Sequence, residues 1–120
     1  MGSSSSSTIS NPAIKTFIEK EVQKNPIVIF SKSYCPYCTA TKQLFQSQSD
    51  LSSVQPQQVY ELDRNTPNIT FTGAQIQQTL AEMTGQRTVP SVWIKGTFVG
   101  GNSETQTAYK NGTLQTMLGL

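Results

Sequence analysis

Ile27-Val28-Ile29-Phe30 is an unbroken apolar run, set between Asn25-Pro26 and the polar loop Ser31-Lys32-Ser33-Tyr34, and Cys35 and Cys38 follow at once. A run this short and this uniformly apolar fits a strand buried on both faces, as in a parallel sheet. The segment from Cys35 to about Ser47 reads as a helix, with Pro36 in its first turn and Leu44 and Phe45 facing inward. The chain must therefore deliver Cys35 to a helix N-terminus that is entered directly from a buried strand.

The rest of the chain supplies layers to cover that strand. Asn11-Pro12 is an N-cap followed by proline at the first helical position, and Ile14, Phe17, Ile18 and Val22 share one helical face before Asn25-Pro26 ends the helix. Gln58 to Leu62 reads as a second strand, so strand, helix and strand make a parallel crossover unit. Ile76, Leu80 and Met83 mark a helix from Gly73, closed by Gly85. Ser91 to Ile94 and Thr97 to Val99 flank Lys95-Gly96 as a hairpin, and Ser103 to Leu120 reads as helix in two pieces broken at Asn111-Gly112. The order predicts an α/β fold, a mixed sheet of about four strands with helices on both faces, which is the thioredoxin-like arrangement. The folded domain is expected over 11–120. Residues 1–10, dominated by serine, are expected to be a disordered tail; Met1 to Ser6 fits the loose N-myristoylation pattern and equally an expression leader.

Composition narrows the chemistry. Nine basic and seven acidic residues give a charge of +2, too little for a nucleic-acid partner. No apolar run approaches the roughly 18–20 residues of a membrane-spanning helix, and a soluble monomer is expected. There is no histidine, which removes Ser-His-Asp and Cys-His catalysis, and two cysteines without a second pair do not complete a zinc site. No metal is expected. A disulfide between Cys35 and Cys38 closes too short a loop to act as an efficient staple, so the pair reads as reactive.

A cysteine at a helix start feels the positive end of the macrodipole and free N–H groups, both of which favour thiolate. Lys32 adds a positive charge in the same loop and is placed to hold an anionic substrate. Cys38, one turn on, can attack a mixed disulfide formed at Cys35. Thr88-Val89-Pro90 precedes a strand, where X-Pro is the bond that can be cis in a tight turn, although a plain loop proline reads the same way. Gly100-Gly101-Asn102-Ser103 is either an anion site at a helix start or a simple capped turn.

Taken together, Cys35-Pro36-Tyr37-Cys38, the block Thr84 to Pro90 and the pair Gly100-Gly101 resemble the dithiol class of the glutaredoxin family. The likeness runs from about Ile14 to Leu118. It implies a glutathione-dependent disulfide oxidoreductase that reduces glutathione mixed disulfides and some protein disulfides, with Cys35 as nucleophile and Cys38 as resolving thiol. It implies further that Lys32 and Gln77 hold the glycine carboxylate of glutathione, that Tyr37 packs beside its sulfur, and that Thr88, Val89 and a cis Pro90 present backbone to its cysteine. Gly101 and the N–H groups near Asn102 and Ser103 would take the γ-glutamyl carboxylate. Glu104 stands where the family commonly has aspartate, which is expected to alter how the amino group is held. The stretch from Asn65 to Gly73 looks long for the family. Glutathione is the implied co-substrate and glutathionylated proteins the implied partners; some members of the family instead share an iron–sulfur cluster between two chains, a role that Pro36 disfavours. Few cysteines and a reducing activity favour the cytosol. Asn68-Ile69-Thr70 and Asn111-Gly112-Thr113 are formal glycosylation triplets.

Overall fold

The computed structural model describes residues 9–64 and 69–120. The expected tail falls almost wholly on residues 1–8, and part of the expected long loop on 65–68; both lie outside the described residues. In chain order the elements are α1 (Pro12–Lys24), β1 (Ile27–Ser31), α2 (Pro36–Ser47), α3 (Ser49–Ser52), β2 (Gln57–Glu61), α4 (Gly73–Thr84), β3 (Ser91–Ile94), β4 (Thr97–Gly100), α5 (Asn102–Lys110) and α6 (Thr113–Leu118). The strands form one sheet in the order β2-β1-β3-β4; β1 and β2 are parallel, and the other two pairings are antiparallel.

All five residues of β1 are buried, and successive side chains serve opposite layers. Val28 and Phe30 pack with Ile14, Ile18 and Val22 of α1 and with Ile76 and Leu80 of α4. Ile27 and Ile29 pack with Leu44 and Phe45 of α2, Leu51 of α3, Ala108 of α5, and Leu114 and Leu118 of α6. Two half-cores thus meet across one strand, which is why that strand needs an apolar residue at every core position. Its last residue, Ser31, then feeds the cysteine loop.

Local signals fix the element ends. Asn11 Oδ1 accepts from the N–H groups of Ala13 and Ile14 at 3.1 and 3.3 Å. Thr72 and Gln75 form a reciprocal capping box at the start of α4. At the β3–β4 hairpin, Lys95 has φ 48° and Gly96 φ 82°, the pair of left-handed residues that a two-residue turn matching strand twist requires. Gly73 is needed for a different reason: a Cβ built there would lie 1.6 Å from the carbonyl oxygen of Leu62.

Several element limits differ from the sequence reading, β4 among them, which runs on to Gly100. β2 begins at Gln57 and ends at Glu61; Leu62 has left the ladder, although its N–H still donates to Ser31 O at 2.7 Å. α5 begins at Asn102, one residue early. α3 is a single turn that went unread, because Ser49, Asp50 and Ser52 give it no apolar period beyond the buried Leu51.

Candidate active site

Cys35 is the N-cap of α2, with extended backbone angles, and its Sγ accepts from the N–H of Cys38 at 3.4 Å. Burial raises the Cys35 thiol pKa, but the hydrogen bonds from Cys38 and Tyr37 and the charge of Lys42 outweigh it, so the net direction is downward. Cys38 is 0% exposed. Burial pushes its thiol upward, against the lowering effect of the Lys32 N–H, which donates to Cys38 Sγ at 3.4 Å. Both thiols are free. The pair is therefore asymmetric, with a partly exposed, acidified sulfur above a buried, protonated one. Tyr34 and Tyr37, 71% and 67% exposed, flank the opening.

The facing wall is the loop into β3. The Val89–Pro90 peptide is cis, and the Val89 carbonyl lies 3.9 Å from Cys35 Sγ. Gln86 holds this loop from within, donating through Nε2 to the carbonyls of Thr88 and Pro90, both at 2.9 Å. Gln77 of α4 donates to the Arg87 carbonyl at 3.0 Å, so the carboxamide expected to bind a ligand also ties α4 to the same loop. Arg87 is exposed and lines a surface hollow of about 450 Å³ with Gln77 and Glu82.

The third side is the β4–α5 turn. Gly100 has φ 137°, and a Cβ there would lie 2.7 Å from Glu104 Cβ. Glu104 Oε1 accepts the Gly101 N–H at 2.8 Å, so this carboxylate caps its own helix. The Asn102 side chain points away from the opening: its Oδ1 accepts from Thr41 Oγ1 at 2.8 Å and from Gln106 at 3.2 Å. Because Thr41 is buried on α2, this bond fixes the start of α5 against the helix that carries the cysteines. The first-turn N–H groups of α5, those of Asn102 and Ser103, are of the kind a helix cannot satisfy internally.

The charge of Lys42 also lowers the Cys35 thiol pKa, and the Lys32 backbone N–H meets the cysteine pair at Cys38 Sγ. Lys42 Nζ is 2.7 Å from Glu61 Oε2. The cysteine loop is also latched from β2's end, where Asp63 accepts the Ser33 N–H at 2.9 Å and bonds the Ser33 hydroxyl through its other oxygen. The Ser33 hydroxyl and then the Ser33 N–H hold the Asp63 carboxyl below its usual range. Thr41, Lys42 and Asp63 carry no role in the sequence reading, and Gln86 and Arg87 enter it only as members of the block Thr84 to Pro90. Lys42 alone carried a local signal, since positions 35, 38 and 42 share one helical stripe. Among the described residues, no cluster of three or more histidine, cysteine or acidic side chains is placed to hold a metal ion.

The geometry has counterparts. The family model described as Glutaredoxin matches residues 27–99. Glutaredoxin-2 of Schizosaccharomyces pombe is 39% identical over 104 residues, which cover 87% of this chain and 86% of that protein. Glutaredoxin-C4 of Arabidopsis thaliana is 41% identical over 115 residues, 96% of this chain and 77% of that one. Among solved structures, a buckwheat glutaredoxin-glutathione complex superposes with a TM-score of 0.75 at 36% identity, covering 89% of this chain and 88% of that one. Wheat glutaredoxin superposes with a TM-score of 0.75 at 38% identity, covering 92% and 93%.

Proposed function

The chain belongs to the glutaredoxin family and is a glutathione-dependent disulfide oxidoreductase, and on that footing we propose that it reduces glutathione mixed disulfides by a route needing only Cys35. The observation that carries this reading is the asymmetry of the cysteine pair: Cys35 Sγ sits at the start of α2 and accepts the Cys38 N–H, while Cys38 is buried beneath it. The Cys35 thiolate attacks the glutathione sulfur of the mixed disulfide. A new S–S bond forms, the old one breaks, and the target leaves as a thiolate that takes up a proton. A second glutathione thiolate then attacks the glutathione sulfur held on Cys35, releasing oxidised glutathione and the Cys35 thiolate. Where the target is a protein disulfide, Cys35 attacks one of its sulfurs and releases the other as a thiolate; Cys38 then attacks Cys35 Sγ, the bound target sulfur leaves as a second thiolate, and the enzyme is left with the internal disulfide.

Binding follows from the three sides of the opening. Lys32, Gln77 and Arg87 take the glycine carboxylate, the Val89 backbone beside Pro90 pairs with the cysteine of glutathione, and Thr88 carries the loop between them. Tyr37 packs beside the ligand sulfur. The N–H groups of Asn102 and Ser103, made approachable by Gly101, take the γ-glutamyl carboxylate, to which the positive end of α5 adds attraction. Glu104 keeps a negative charge beside the α-amino group. The partner of the buckwheat structure, glutathione, has the charge pattern these groups match.

A glutathione-coupled assay on the mixed disulfide of glutathione with a small thiol tests the reading. Turnover that is first order in enzyme and lost on alkylation of Cys35 is expected; no turnover above the uncatalysed exchange would rule it out.

A further inference from the structure

The end of β2 and the second turn of α2 hold an ion pair that the reaction just described does not use. Lys42 lies four residues after Cys38 and seven after Cys35, on the same stripe of α2, roughly 10 Å along the axis from the nucleophile. Side chains on a helix lean toward its N-terminus, so the Lys42 stem runs back toward the cysteines. Its ammonium is 2.7 Å from Glu61 Oε2, with the two side chains only 18% and 25% exposed. Glu61 is paired in register with Ser31, the residue from which the cysteine loop departs, so the charge pair lies at the sheet edge where that loop begins. Glu61 Oε1 is buried and meets no donor among the described residues.

We infer that Lys42 is a positioning residue for the chemistry of Cys35, and that Glu61, by gripping its ammonium, sets how much of that charge reaches the sulfur. The other groups around Cys35 have other engagements. On α2 they are Cys38, Tyr37 and the helix N–H groups; in the preceding loop, Lys32, whose backbone meets Cys38 and whose charge is assigned to the glycine carboxylate. From the β3 side come the uncharged Val89 carbonyl and the cation Arg87, assigned to the same carboxylate, from α5 Glu104, which is turned onto Gly101, and from β2's end Asp63, which is engaged by Ser33. In turnover the free glutathione thiolate bonds to the sulfur of the held glutathione, the bond to Cys35 breaks, and its electron pair remains on Cys35 Sγ. A nearby cation eases that departure, because a less basic thiolate leaves faster. This kinetic consequence rests on the proposed reaction; the charge coupling does not.

The test measures iodoacetamide alkylation of Cys35 against pH in the full chain, with Cys38→Ser as common background. Lys42→Gln is expected to raise the midpoint by roughly 0.5 pH, Glu61→Gln to lower it by less, and Lys42→Arg to stay near the parent. A Lys42→Gln midpoint equal to the parent's, or a Glu61→Gln midpoint that rises, overturns the inference. Should Lys42→Gln fail to fold, Glu61→Gln decides, since the cation remains and its midpoint must fall. The same proteins are then assayed with the glutathione mixed disulfide. If midpoints move as expected while turnover of glutathionylated Cys35 does not, the charge coupling stands and the proposed reaction, in which Cys35 is the leaving group, is what fails.

Discussion

The backbone N–H of Cys38 points at the Sγ of Cys35 across 3.4 Å, so the residue that follows the nucleophile by one turn also supports its negative charge. The support comes from the main chain and survives replacement of the Cys38 side chain.

Cys35→Ser should abolish reduction of a glutathionylated substrate, because serine is far too weakly acidic to act as nucleophile there. Cys38→Ser should keep that activity and can raise it by removing the competing internal disulfide, while reduction of a protein disulfide falls. Both variants, assayed on both substrate types at fixed pH and glutathione, check this. Survival of activity in Cys35→Ser would reverse the assignment.

The opposed directions of the two thiols fix an order of reaction with pH. Cys35, held below the ordinary thiol value of about 8.5, should alkylate at a pH where Cys38, held above it, does not. As pH falls through the Cys35 value, its alkylation rate declines. The stability that its thiolate contributes, fully present above about 8.5, is lost over the same window. Cys38 contributes in the opposite sense: stability present below about 8.5 and lost as pH rises through its own value. Mass mapping of alkylated peptides across pH distinguishes the sites, and equal labelling at every pH would contradict the assignment.

Glu104→Gln keeps an oxygen that can accept the Gly101 N–H and removes the charge. Stability should fall by only about 0.3–1 kcal/mol, the usual worth of a negative charge at a helix start. Affinity should fall more for glutathione than for an analogue without the α-amino group. Equal losses for the two ligands, measured by competition, would leave Glu104 a helix cap and nothing more.

Thr41→Val deletes the hydroxyl that joins α2 to Asn102 of α5 in a buried setting. Urea unfolding should show a loss of about 1–3 kcal/mol, with KM for glutathione rising because the α5 N–H groups are no longer held against the cysteine helix. An unchanged KM beside the lost stability would separate this bond from ligand binding.

Gly73→Ala should be among the most damaging single-methyl additions in the chain. The added carbon meets backbone rather than a movable side chain, at 1.6 Å from Leu62 O, so α4 or the end of β2 must shift. A cost of at least about 1–3 kcal/mol is expected, read as a drop in Tm.

Elements announced by neighbouring residues were legible in the sequence. Asn11-Pro12 marks the start of α1, the four apolar residues from Ile27 mark β1, and Lys95-Gly96 marks the hairpin, since each acts through its own backbone or its own burial. The cysteine pair was legible for the same reason, whereas a cis Pro90 followed only from the family resemblance, since Thr88-Val89-Pro90 alone reads equally as a loop proline. Groups whose meaning lies in a partner far along the chain were not legible. Thr41 becomes a tether only when Asn102 arrives from 61 residues away, and Ser33 becomes a latch only when Asp63 closes on it from 30 residues away. Lys42 lies seven residues beyond Cys35, and only the helix aligns it with that cysteine. Single-turn α3 escaped because Leu51 is its sole apolar anchor.

The complete burial of Cys38 gives the protein one door. Peroxides, alkylating agents and foreign disulfides all arrive from solvent and meet Cys35 first, so the inner sulfur can change state only by reacting with its neighbour. Damage and duty thereby share a single entry point: an oxidant that reaches Cys35 can be turned back by Cys38 as an internal disulfide, which glutathione can reopen, before the outer sulfur is carried to states that thiols do not reverse.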